Sequence, residues 1–508
     1  MNSVETEHKS CGSEDTSYDH VLKYTGVFGG VQVLSMLIAV VRNKLAALWL
    51  NRAGIGFFMM YSNISAFVTS ATNAGIPFSA VRNISELYDN GTSQEVESYV
   101  VTVRSWSLWT ALLGALVCVL AAPFISFLAF DGDWGYTAQV AMLAPMVFAV
   151  AVTNGEISIL KGTRKLKRVA LITALSALLT LVSVLPFFFM WRIDGVVPAL
   201  VVNSLVIMAV HLYFSLQVFP WRVRLLQRDV LKAGAGMIKL GVPYLAAGVC
   251  NSLAALAVPA FLLYLGDNMD DVGLYKAGFG IMTVYAGLVF VAVEADYFPR
   301  LSALCNDVKR MNYAINQQID VCVLSMAPLL MFMMLVMPIL IEILYTGDFV
   351  MVADMAVCSA FFMFFKAIML PIAYISLAKG DSVTFLVMEV AYDLFSFALI
   401  AAGYHWWGVT GTGIALSVAG LIDLLMIAVC YSVKYGFRFS FSTLRVSLVQ
   451  ALLLSAMLFF CVQGSAWAKW VCGTLAFVSS VAYSFNILRK KTSIVEALKN
   501  RFFSRKKR

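Results

Sequence analysis

The chain has 508 residues, of which 61% are hydrophobic and only 13% charged, with a mean hydropathy of +0.83. A soluble domain carries charge on about a quarter of its residues, so that class is excluded. The net charge of +8 would suit a nucleic-acid partner, but the placement of the basic residues makes one unnecessary. Apolar runs of about 20 residues recur along the whole length, and each is long enough to cross a bilayer as a helix. They lie near 22–50, 55–76, 106–129, 136–160, 169–191, 196–219, 237–266, 273–298, 321–345, 352–378, 382–403, 409–433, 446–463 and 467–488. This is the pattern of an all-α polytopic membrane protein with about 14 transmembrane helices.

Lys and Arg concentrate in alternate loops: Lys161 to Arg168, Arg222 to Lys239, Arg300 to Arg310, and the segment from Arg489 onward. By the positive-inside rule both termini are expected on the cytoplasmic side. Residues 1–20 are polar and of mixed charge and are expected to be disordered. They lack the basic start and early apolar core of a signal peptide. The terminal LKNRFFSRKKR would lie against anionic headgroups as a topogenic tail. Nine scattered cysteines without a CxxC pair, and four histidines without ligand spacing, give no metal site or disulfide framework.

The first span carries Arg42 and Lys44 in its outer third. An ionised group there costs about 3 kcal/mol on insertion scales, so each should face a wet cavity or snorkel to the interface. Ser62, Ser65, Thr69, Thr72 and Asn73 form a polar stripe on the second span, which either packs on another helix or lines water. Gly75-Ile-Pro77 should break that helix near its inner end, ahead of Arg82. Glu156, about a turn from Lys161, is expected to be solvated at the inner surface. The basic stretch 221–239 reads as an amphipathic connector.

The second half is richer in charge within its spans. Lys276 lies near the outer start of the eighth span, with Glu294 and Asp296 near its inner end and Arg300 just beyond. Lys366 falls deep in the tenth span. Glu389 and Asp393 are four apart on one face of the eleventh, and Asp423 is near mid-depth in the twelfth. Groups at such depth are paired, protonated or part of an ion path. A structural Lys366–Asp393 or Lys366–Asp423 ion pair and a proton- or sodium-binding site are both open.

The chain also repeats itself. The segments 54–87 and 271–304 align with Gly56 on Gly273, 217 residues on, and Leu160-Lys161-Gly162 aligns with Ala378-Lys379-Gly380 at nearly the same offset. An even number of spans per repeat gives two halves of the same orientation around a central cavity. The domain organisation expected is a 1–20 terminus, a six-helix lobe over 21–220, a connector over 221–239, and a second six-helix lobe over 240–435. Two additional spans over 436–488 and a basic tail over 489–508 complete it. An excess of basic groups (Arg42, Arg82, Lys276, Lys366, Arg300) predicts an anionic substrate, for which the guanidinium fork suits phosphate.

The segments NKLAALWLNRAGIG, NAGIPFSAVRNISE, VGLYKAGFGIMTVYAGLVFVAVEADYFPRLSAL and LAKGDS, with ALCNDVKRMNYAINQQ after the third, resemble the Wzx-type O-antigen and lipid-linked oligosaccharide flippases. These belong to the MOP superfamily, which includes the MATE drug exporters. The resemblance extends over about residues 22–435. It implies two six-helix lobes and a polyprenyl-diphosphate-linked glycan moved from the cytoplasmic to the periplasmic leaflet of a bacterial inner membrane. It also implies a cationic cavity, with Arg42, Lys44, Arg82 and Lys276 as the matching residues and Lys366 added from depth. Asp296 and Arg300 match an Asp-Tyr-x-Pro-Arg segment that would serve as coupling site or inner gate. Glu294, Glu389, Asp393 and Asp423 are the other coupling-ion candidates; no cofactor is expected beyond coupled protons or sodium. Partners would be the lipid-linked glycan, membrane lipids and other polysaccharide assembly proteins. The rival readings are a MATE-type cation antiporter, disfavoured by the absence of acidic residues in the first span, and an integral-membrane glycan polymerase or ligase, disfavoured by the short outer loops. A non-transporting scaffold of an assembly complex is a third.

Overall fold

The computed structural model describes residues 11–225, 227–266, 268–305, 307–464 and 466–491, and these form helices and turns without a strand. Among the described residues, ten stretches of helix are long and apolar enough to cross a membrane. Three of them contain a break, at Asn51, at Arg192–Gly195 and at Trp407-Gly408, and a further helical stretch runs through Met269–Leu304. The fourteen spans read from hydropathy are thereby accounted for. The chain divides into two compact units, Met1–Leu50 with Tyr61–Val249, and Asn51–Met60 with Cys250–Arg508.

The first unit begins with α1 (Cys11–Thr72), whose start falls within the stretch expected to be disordered. Asn51 breaks α1 with φ 56° and ψ −167°, a positive-φ, extended conformation that ordinarily favours glycine. Ala74 and Gly75 (φ 53° and 68°) end the next run, and Pro77 opens α2 (Ile76–Asn90), as the Gly-Ile-Pro signal predicts. Thr92 and Glu95 then close a capping box on α3 (Ser93–Ala129). The short α4 (Thr137–Ala141), α5 (Ala144–Gly162), α6 (Leu166–Trp191) and α7 (Val196–Leu216) follow. Ile76, Ala80 and Ile84 of α2 bury against Val96, Val100 and Val103 of α3 and Ile159 of α5. Ser65, Thr69 and Thr72 of the polar stripe are buried, and Gly114 of α3 sits over the Thr72 hydroxyl. That stripe is a packing face, its small side chains letting two backbones approach.

Helix α8 (Arg228–Gly266) is continuous, and of the stretch 221–239 expected as a connector, residues 221–225 and 227 lie before it and the rest within it. Its residues up to Val249 belong to the first unit and those from Cys250 to the second. The second unit continues with α9 (Met269–Gly280), a π turn over Ile281–Tyr285, α10 (Ala286–Leu304), α11 (Val308–Leu344), the short α12 (Ala353–Cys358) and α13 (Ala360–Ala378). Then come α14 (Ser382–Tyr435), α15 (Phe441–Val462) and α16 (Ala466–Lys491).

The repeat is visible in element lengths. Helices α3 and α11 are both 37 residues, α5 and α13 are both 19, and a helix of five or six residues stands between in each case. The repeat-related Gly56 and Gly273 touch each other: a Cβ on Gly56 would strike Met269 O, and one on Gly273 would strike Arg52 O. Only glycine allows the two backbones this approach.

Candidate functional site

Helix α13 and the first run of α14, joined by the turn Lys379–Asp381, are antiparallel, and after the break at Trp407-Gly408 the second run of α14 doubles back to lie parallel to α13. Ser417 ties them, accepting from Phe362 N at 3.2 Å and donating to Cys358 O at 2.6 Å, and Tyr431 donates to Ser376 at 2.9 Å. Counted from the helix ends near that turn, Lys366, Asp393 and Asp423 each lie roughly 17–18 Å along their helices, and Glu389 about 10 Å. Sequence positions far apart thus reach one depth. Electrostatic interaction links all four: Glu389 with Asp393 and Lys366, and Asp423 with Glu389, Lys366 and Asp393.

The cluster is not the closed ion pair that was one expectation. Among the described residues no ion pair joins Lys366 to a carboxylate, and its Nζ instead lies 5.7 Å from the centroid of the Phe362 ring. Asp393 is 9% exposed and Asp423 5%. Asp393 Oδ2 has no hydrogen-bond partner among the described residues. Tyr392 interacts with both aspartates and with Tyr275. From Tyr275 an aromatic run continues through Phe279 to Phe362, with ring centroids 5.7 and 6.4 Å apart. Three carboxylates sharing one ammonium in an apolar surround leave surplus negative charge, which attracts a proton or another small cation. At the positions 218 residues earlier, the offset that aligns Lys161 with Lys379, stand Phe148, Leu171 and Leu175, so the charge is confined to the second half.

The remaining candidates are distributed over both units. In the first, Arg42 and Lys44 are half-buried on α1, Arg42 Nη2 lying 3.3 Å from Asn43 Oδ1. Arg82 is exposed on α2 and interacts with Tyr244, whose ring stacks on Phe78 at 3.5 Å between centroids. In the second, Lys276 is half-buried on α9, and Arg300 is exposed with Nη2 3.4 Å from Gln318 Oε1. The side chains of Glu294 and Asp296 lie outside the described residues, as does the basic tail beyond Lys491.

Glu156 departs from expectation. It is 2% exposed, and both its oxygens are occupied: Oε1 accepts from Arg104 Nε at 2.8 Å, and Oε2 from Arg104 Nη2 at 3.1 Å and from Ser215 Oγ. Arg104 is equally buried. The expectation of a solvated Glu156 fails because α3 starts well before its apolar run and carries Arg104 inside the unit. The capping box at Thr92 was the signal that could have placed that start.

A family model described as polysaccharide biosynthesis protein matches residues 21–305, more than half of the chain. The chain belongs to that family. No curated protein matches it by sequence. Among solved structures, this polysaccharide biosynthesis protein is similar to the lipid II flippase MurJ in an inward closed conformation, with a TM-score of 0.69 and 14% identity over 92% of this chain and 99% of that one. It is also similar to an inward-facing MATE-family multidrug resistance transporter of the MOP superfamily, at 0.59 and 16% over 79% and 95%. A MOP superfamily transporter from Pyrococcus furiosus, described as having a binding pocket of reverse polarity, matches at 0.55 and 15% over 85% and 96%. At these identities the likeness shows the fold alone, an all-helical architecture like that of these transporters, as the resemblance implied.

Proposed function

We propose that this protein is a flippase that carries a polyprenyl-diphosphate-linked oligosaccharide, a surface-polysaccharide repeat unit such as that of O-antigen, across a bacterial inner membrane by alternating access. The observation that carries this reading is the coincidence of a polysaccharide-biosynthesis family match with a fold that extends over 99% of a lipid II flippase. Neither alone suffices, since the fold also serves drug exporters and the family description names a pathway. In this reading Arg42, Lys44, Arg82, Lys276 and Lys366 hold the diphosphate, because charge-assisted hydrogen bonds to phosphate offset its desolvation. The sugars travel in water and the polyprenyl tail stays in lipid. Both termini face the cytoplasm.

Flipping down a gradient needs no ion. Net export needs one, and Glu389, Asp393 and Asp423 are the proposed binding groups, with Glu294, Asp296 and Arg300 as gate or second ion site. Binding of a cation by the cluster would change which conformation is favoured by as much as its affinity differs between the two. The test is made in cells deleted for the gene, with lipid-linked oligosaccharide quantified on each leaflet. Accumulation at the inner leaflet, corrected by the wild-type gene and about tenfold less well by Arg42→Ala or by Asp393→Asn with Asp423→Asn, is expected. Unimpaired translocation in the deleted cells, with only later assembly lost, would replace this reading by an enzyme or a scaffold.

A further inference from the structure

We infer that the chain leaving α7 and entering the first turn of α8, residues 219–225 and 227–230, is a strap fastened along α3, and that it remains fastened while the protein works. The sequence places this stretch between two halves, where a flexible linker is the ordinary expectation. Side chains of α3 grip it instead. Arg104 Nη1 donates to Phe219 O at 3.3 Å and to Pro220 O at 2.7 Å. Ser105 Oγ accepts from Arg224 N at 2.9 Å. Trp109 Nε1 donates to Leu225 O at 3.1 Å, and Trp106 Nε1 to Val230 O at 3.0 Å. Glu97, earlier on the same helix, pairs with Arg222 at 2.8 Å.

The grip is built from the buried interior outward. Arg104 is held by Glu156 on one side and lies 5.3 Å over the Trp221 ring on the other. Its guanidinium therefore couples three elements and the strap at once. Gly234, one turn into α8, sits against the Trp106 indole so closely that a Cβ there would collide with the ring. Further on, Tyr244 stacks on Phe78 of α2. Unfastening the strap would leave the buried Arg104 guanidinium short of acceptors, a costly state in an apolar surround, and would release the Trp106 and Trp109 indole N–H groups from their carbonyls. Segments that move in a transport cycle come from the weakly held parts of a fold. The gripped groups from Phe219 to Val230, with Gly234 and Tyr244, are the opposite, so they travel as part of the first unit and the conformational change is taken up beyond them.

Two measurements test this. Ser105→Cys with Arg224→Cys, in a chain whose nine native cysteines are replaced by serine, should cross-link on oxidation, since the strap brings the two positions within disulfide reach. In liposomes loaded with lipid-linked oligosaccharide extracted from the producing cells, the oxidised form should flip within about twofold of the reduced form. A pair that fails to cross-link, or a loss of flipping beyond about tenfold that reductant restores, overturns the inference. This arm rests on the proposed function, and a reduced form that never flips counts against that function alone. Hydrogen exchange of the wild-type full chain does not depend on it: the Arg224 amide should exchange about 100-fold slower than in the unfolded chain, and a rate near the unfolded one overturns the strap.

Discussion

At the residue scale, two ion pairs of different surroundings behave differently. Arg104 and Glu156 are both within the first unit's interior, so removing one partner leaves the other as an uncompensated buried charge. Glu156→Leu or Arg104→Met should each destabilise the protein by about 3–5 kcal/mol, while the double variant should recover part of that loss. Thermal unfolding of the purified protein in detergent checks it, and strict additivity of the two single losses would refute the pairing. Asp381 caps α14 from outside the span: Thr384 N donates to its Oδ1 at 3.1 Å, and Oδ2 accepts from Lys434 at 2.6 Å and Tyr435 at 2.8 Å. The Lys434 contact first, then the Thr384 amide and the Tyr435 hydroxyl, hold this carboxyl well below the usual range. A lowered folded-state value contributes stability that is present above the unfolded value near ~4 and lost as pH falls below it. Melting temperature should therefore drop more steeply between about pH 5 and pH 3 in the wild type than in Asp381→Asn. Of these residues Glu156 was misread, because a carboxylate near a basic loop looks solvated until the helix bearing its partner is placed.

At the element scale, the repeat explains which helices exist and where they end. The N-caps Thr92 and Asp307 open helices of equal length, and Lys161-Gly162 and Lys379-Gly380 close matching ones. The glycines that revealed the repeat in sequence meet in space, backbone against backbone. Gly56→Ala or Gly273→Ala must push the two helices apart and should cost about 1–3 kcal/mol by overpacking, read as a lowered melting temperature. A melting point unchanged by either substitution would mean that the approach is looser than the structure has it. The breaks at Asn51 and at Trp407-Gly408 were legible only as boundaries between apolar runs; that the helix resumes at once, with no loop between, was not. Hydropathy reports which residues avoid water, and a one-residue change of backbone conformation leaves it untouched.

At the scale of the whole molecule, the proposed coupling makes a prediction about driving force. Flipping in liposomes should respond to an imposed proton or sodium gradient in the wild type, and Glu389→Gln or Asp423→Asn should reduce that response by about tenfold while flipping down a substrate gradient persists. Equal responses in wild type and variants would remove the cluster from any coupling role. The class, the number of spans, the two-fold repetition and the family were determined by the sequence itself, because bilayer thickness sets the length of each apolar run and a repeat preserves its glycines. The candidate residues Lys366, Glu389, Asp393 and Asp423 were also legible, since ionisable groups stand out against an apolar background. What only the tertiary structure decided is how those charges meet. Nearly equal depth on α13 and the two runs of α14 gathers Lys366, Asp393 and Asp423, with Glu389 a turn or more away, without a closed ion pair, and the early start of α3 buries Arg104 against Glu156. It also fastens the connector, through donors aimed at backbone carbonyls. Carbonyls are the same at every residue, so no sequence pattern announces which of them will be gripped.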